Sequence, residues 1–139
     1  MNMNMNKNNS SEEVVSATAL LLSISKADDK IDSHEFEIIK EIISDFFNIS
    51  INNLNDIINN SLKRLKESTD IYEFGKILNQ KFTYQDKIDF ICCTFEVAYA
   101  DKKLHYLEEH LIKKISFILN VEHSDLIISK KEIESYLKD

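Results

Sequence analysis

The sequence predicts an all-α domain of about seven helices in a compact bundle, and three observations carry that prediction. The 139 residues hold no proline and a single glycine, Gly75. Tight turns between strands depend on those two residue types, so polar links between helices are expected instead. A Ser/Thr/Asp-x-x-Glu/Asp box recurs along the chain. In it the first side chain accepts from the third amide, and the acidic third residue answers the helix dipole. Between the boxes, apolar residues return with a helical period.

Taken in order, Ser10 to Glu13 opens a first helix to about Ala27, and Asp32 to Glu35 opens a second to about Phe47. Ser50 begins a third, of weaker pattern, to about Lys66. Asp70 to Glu73 opens a fourth, and Thr83 to Asp86 a fifth that ends near Ala100. A sixth runs from about Tyr106 to Leu119, and a last one starts near Ser124, with a fresh start expected at Ser129 to Glu132. Residues 1–10, an Asn/Met repeat with one lysine, read as a disordered tail ahead of a domain over residues 11–139.

The first helix (Val14, Val15, Ala17, Leu20, Leu21, Leu22, Ile24) and the fifth (Ile88, Phe90, Ile91, Phe95, Val97, Ala98) are apolar nearly all round. Such helices belong in the centre of a bundle. The fifth keeps one polar stripe, Gln85, Asp89 and Glu96, on which Glu96 reads as a solvated carboxylate rather than a catalytic one. Helices two and six are amphipathic, with Ile39, Ile42, Ile43 and Phe46 on one and Leu111, Ile112, Ile115 and Leu119 on the other.

The formal net charge of −7 and pI near 5.1 argue against nucleic acid, since phosphate contacts supply most non-specific affinity. Lys63–Arg64–Lys66, Lys113–Lys114 and Lys130–Lys131 read as solvated helix faces. One glycine leaves no phosphate-cradling loop, dinucleotide fingerprint or nucleophile elbow. No apolar run approaches the roughly 18 residues of a membrane span, and no signal-peptide pattern is present. The expectation is a soluble cytoplasmic protein without direct membrane insertion. Cys92 and Cys93 are neighbours on different helix faces, which fits reduced, buried thiols.

The chain also echoes itself. Ala27-Asp28-Asp29-Lys30-Ile31-Asp32-Ser33-His34-Glu35 aligns with Ala100-Asp101-Lys102-Lys103-Leu104-His105-Tyr106-Leu107-Glu108, 73 positions on. Ile38, Ile39, Ile42 and Phe46 then align with Leu111, Ile112, Ile115 and Leu119. Phe47-Asn48-Ile49 follows Leu119-Asn120-Val121 with a slip of one residue. Each copy reads as a buried helix, an acidic loop and an amphipathic helix. The simplest packing places helix one against helix five, with an approximate two-fold between the halves.

These two blocks resemble the paired Ala-Asp-Gly-x-Ile/Leu-x-x-x-Glu signatures of the TerB (tellurite-resistance) family, related to the N-terminal domain of the co-chaperone DjlA. The segment Asp70-Ile71-Tyr72-Glu73-Phe74-Gly75-Lys76-Ile77-Leu78-Asn79-Gln80-Lys81-Phe82 is similar to the free-standing bacterial branch. The resemblance spans about residues 13 to 133. It implies a non-enzymatic helical module that binds an as yet unidentified protein partner in a stress-response or envelope-associated system. The sequence departs from the signature at its glycine, where Asp29 and Lys102 stand, and His105 occupies the position of Asp32. A left-handed backbone there suits glycine, is tolerable for Asp and is costly for Lys.

The candidate site is the pair of acidic loops. Asp28, Asp32 and Glu35 offer hard oxygen ligands of the kind that suit Ca²⁺ or Mg²⁺. Asp101, His105 and Glu108 offer mixed oxygen and nitrogen, closer to Zn²⁺ preferences. Proposals of metal binding within the TerB family agree with this reading. The same residues also read as structure, and more readily so, because Asp32 and Glu35 make a capping box and Asp28 and Asp101 can hold loop amides. The spacing lacks the central glycine and twelfth-position glutamate of an EF-hand. His34, His110 and His123 read as surface histidines, and no nucleophile with an attached base is visible. A metal-dependent enzyme built on both loops and a ligand-free structural domain are the alternatives.

Overall fold

Apolar side chains on every face of a helix leave it one stable place, the middle of a bundle. Glu12–Ser25 (α1) takes that place. The computed structural model describes residues 12–26 and 33–137. The expected tail, the Ser10 cap and the first acidic loop from Ala27 to Asp32 lie outside the described residues. Around α1 stand Ser33–Phe47 (α2), Leu54–Glu67 (α3), Tyr72–Lys81 (α4), Tyr84–Ala98 (α5), Tyr106–Ile118 (α6) and His123–Leu137 (α7). The described residues thus form seven helices and no strand.

α1 packs most extensively on α3 and α4, and also on α2, α5 and α6. Leu20, Leu21, Leu22 and Ile24 are wholly buried. The Thr18 hydroxyl, buried among them, donates to the Val14 carbonyl at 2.8 Å, as a hydroxyl in a helix interior can. α5 packs on α7 above all, then on α1, α6 and α2. Helix one does meet helix five, as expected. Phe46 and Phe47 of α2 cluster with Phe82 and Phe90, neighbouring ring centroids lying 5.0–6.3 Å apart in tilted and edge arrangements, which suit the quadrupoles of the rings.

The lone glycine has a packing purpose. A Cβ on Gly75 would lie 2.4 Å from Cγ2 of Ile118, so α4 and α6 approach closely only because position 75 has no side chain.

The expected starts hold to different degrees. At α5 the box is complete: Asp86 N–H donates to Thr83 Oγ1 at 3.1 Å and Thr83 N–H to Asp86 Oδ2 at 3.0 Å. Ser50 instead caps a short 3₁₀ turn over Ile51–Asn53, and α3 begins only at Leu54. Asp70 takes the Tyr72 amide two residues on, at 3.0 Å, and pairs with Lys114 at 3.6 Å. That Asx turn delays α4 to Tyr72. The fresh start expected at Ser129 is absent: α7 is continuous from His123, and Ser129 is buried within it beside Cys92. α2 and α6 end alike. Asn48 (φ 56°) and Asn120 (φ 59°) turn left-handed, and the next amides reach back to Ser44 and Ser116 carbonyls, both at 3.0 Å. That six-to-one bond is the Schellman cap, with asparagine in glycine's place.

Candidate functional site

The second acidic loop links α5 to α6 and is held by its own residues. The backbone turns back where Lys102 N–H donates to the Tyr99 carbonyl at 2.7 Å, and Lys102 is left-handed, with φ 69°. The position at which the family signature carries glycine therefore keeps a glycine-like conformation in this chain, at lysine's expense. Asp101 Oδ1 accepts from the Lys103 amide at 3.1 Å, and its Oδ2 lies 3.0 Å from His105 Nε2. Burial works to raise the Asp101 carboxyl, but the His105 hydrogen bond and the Lys103 amide outweigh it and leave the group below its ordinary value.

Glu108, 2% exposed, is the sole charged side chain among the buried described residues. Its Oε1 accepts from the His105 amide at 3.0 Å, the acidic half of a capping box at the start of α6. Of the predicted ligands, then, Asp101 and His105 are brought together, while Glu108 turns back onto the helix start. Glu35 sits in the first turn of α2, and Asp28 and Asp32 lie outside the described residues. Among the described residues no group of three or more His, Cys, Asp or Glu side chains is arranged to hold a metal ion. His110 is exposed, as expected of a surface histidine, and stacks on the likewise exposed Tyr106 with centroids 6.4 Å apart. His123 is exposed at the start of α7, as expected of a surface histidine.

A second feature escaped the sequence reading. α2 and α7 flank α5 without extensive contact with each other, and between them opens a groove of about 610 Å³. α2 contributes Ile38, Glu41, Ile42, Asp45 and Phe46; α7 contributes Ile133, Tyr136 and Leu137. The floor is Cys93, Glu96, Tyr99 and Ala100, with Lys102 at its end. Desolvation, reinforced by Asp45, lifts the Glu96 carboxyl above its ordinary value. Glu96 is exposed on the polar stripe, as expected of a solvated carboxylate, while its surroundings raise its proton affinity. Burial pushes the Cys93 thiol far up, so it stays protonated, and the Cys92 thiol is raised for the same reason. The Tyr99 hydroxyl, raised by burial and by Glu134, donates to that carboxylate. On α2 the groove-lining Ile38, Glu41, Ile42 and Asp45 share a helical stripe that overlaps the core stripe at Ile42, so the spacing of that segment alone does not mark a separate face.

The architecture is that of an all-helical module with a self-capped acidic link and an open groove. The chain matches the family model of tellurite resistance protein TerB over residues 15–131, and it belongs to the TerB family. Comparison with curated proteins and comparison with solved structures each gave no match. Among the described residues no helix is long and apolar enough to cross a membrane.

Proposed function

We propose that this TerB-family chain is a non-enzymatic protein-binding module that docks its partner in the groove between α2 and α7. The supporting observation is the groove itself, lined largely by apolar side chains, with Glu41 and Asp45 on the α2 wall and Glu96 on the floor, and large enough for a binding site. A stress-response or envelope-associated setting in the cytoplasm is what family membership suggests. A photo-crosslinking residue placed at position 136, with one at exposed position 55 of α3 as reference, tests the docking face. The expected result is a discrete adduct from position 136 alone, competed away by unlabelled protein. Equal labelling from both positions would sink the reading.

A second proposal keeps a divalent cation at the acidic loops, with Asp28, Asp32, Glu35, Asp101, His105 and Glu108 as candidate ligands. The close Asp101–His105 pair supports it. Thermal melts with Ca²⁺, Mg²⁺, Mn²⁺ and Zn²⁺ decide the matter. An ion at a hundred times its Kd adds about 2.7 kcal/mol, which is a shift of a few degrees. A shift that survives Asp28→Ala and Asp101→Ala would place the ion elsewhere.

A further inference from the structure

We propose that the groove receives a basic amphipathic helix, supplied by a partner protein, with lysine or arginine facing Glu41, Asp45 and Glu96. This rests on the docking face proposed above and names the chemistry of its occupant. The first argument is shape. α5 packs with α2 on one side and α7 on the other, while those two lack extensive contact with each other. The described residues therefore leave α5 uncovered along a strip flanked by two helices, which is where a further helix completes a layer. Ile38 and Ile42 on one wall, and Ile133 and Leu137 on the other, are each one turn apart. They meet anchors spaced i, i+3 or i+4, i+7.

Charge identifies the occupant further. Glu41 and Asp45 stand one turn apart on α2, and Glu96 faces the same groove from α5. No ion pair among the described residues involves any of the three. They are also not gathered tightly enough to share one cation, since no metal-holding group occurs among the described residues. Carboxylates spread along a groove are best answered by separate cations at helical spacing. The opposing cation in the lining is Lys102, at one end. A second copy of this chain, at net charge −7, and an anionic lipid surface are both disfavoured by the same field.

The test uses fluorescence anisotropy with three labelled 18-residue peptides. One is a Leu/Lys amphipathic helix, one its Leu/Glu counterpart, and one a scrambled Leu/Lys sequence without an apolar face. The Leu/Lys helix is expected to bind at least about tenfold more tightly than either other peptide. The triple variant Glu41→Gln, Asp45→Asn, Glu96→Gln should lose about tenfold in affinity, whereas Asp56→Asn, Glu67→Gln, Glu73→Gln should lose little. Backbone amide shifts on titration should cluster on residues 38–46 and 133–137, a readout that does not depend on any variant folding. Equal loss in both triple variants would reduce the binding to diffuse electrostatics and overturn the inference. Preference for the Leu/Glu helix, with shifts still in the groove, would overturn the charge assignment while leaving the docking face intact. Binding of no helix at all overturns the inference, and the crosslinking result then judges the docking face by itself.

Discussion

α1 and α5 look alike in sequence and stand differently in the protein. α1 is buried on nearly every face, with Leu20, Leu21, Leu22 and Ile24 fully enclosed by its neighbours. α5 buries Phe90, Ile91, Phe95 and Val97 on one side, yet its Cys93 and Glu96 face the groove. A helix that is apolar all round is a core helix. A helix that is apolar save for one polar stripe has a closed side and an open one. The comparison makes the two sides unequal in what they tolerate.

The largest expected effect is on the closed side. Leu21→Ala should cost about 2–5 kcal/mol, because the lost methyls leave a cavity that five packed helices cannot collapse. Cys93→Ala, on the open side, should cost about 1 kcal/mol or less, since only one sulfur leaves a half-covered site. Urea denaturation of both variants measures the contrast. Comparable losses would erase the distinction between the faces.

Gly75→Ala probes the closed side from its far edge. Alanine favours a helix interior by up to about 1 kcal/mol over glycine. Against this, a Cβ at 2.4 Å from Ile118 Cγ2 must displace a β-branched side chain with one strongly preferred rotamer. Overpacking of that kind costs about 1–3 kcal/mol, so a net loss of about 1 kcal/mol is expected. A double-mutant cycle with Ile118→Ala should recover most of it, as the clash then has no partner.

How far these features were legible depends on whether they are local. The Thr83–Asp86 box and the asparagine at the end of α2 and of α6 are satisfied within a few residues, and the sequence shows them plainly. Asp70 and Ser50 carry the same kind of signal, but an Asx turn and a 3₁₀ turn used their side chains first. At the candidate site, Asp101 and His105 were visible as a pair four residues apart. The groove was not, because it arises from two helices, α2 and α7, failing to close over a third. No spacing within one segment encodes that.

Lys102 lies where the loop and the groove meet. A left-handed residue with a Cβ costs about 1–2 kcal/mol, against about 0.5–1 kcal/mol for the extra freedom glycine loses on folding. Lys102→Gly should therefore stabilise the protein by roughly 0.5–1 kcal/mol in chemical denaturation. The same change removes the cation at the end of the groove, so it should also tighten binding of a basic helix. Stabilisation without tighter binding would separate the loop from the groove.

The smallest expected effect is the most specific to the open side. In the folded protein the Glu96 carboxyl sits above its ordinary value of 4.5, first through desolvation and then through Asp45. In the unfolded chain it titrates near that ordinary value. A raised carboxyl means that the folded state binds its proton more tightly, so its carboxylate destabilises the protein above the folded pKa. That penalty fades as the pH falls through the folded pKa and is gone below 4.5, where both states are protonated. Glu96→Gln, which mimics the protonated form, should melt slightly above the wild type at about pH 7 and together with it at about pH 3.5. Asp45→Asn should narrow the gap at neutral pH by removing the like charge beside it. A gap of the same size at both pH values would mean that Gln stabilises by packing. In that case Glu96 would be an ordinary surface residue, and the open face of α5 would lose its electrostatic character.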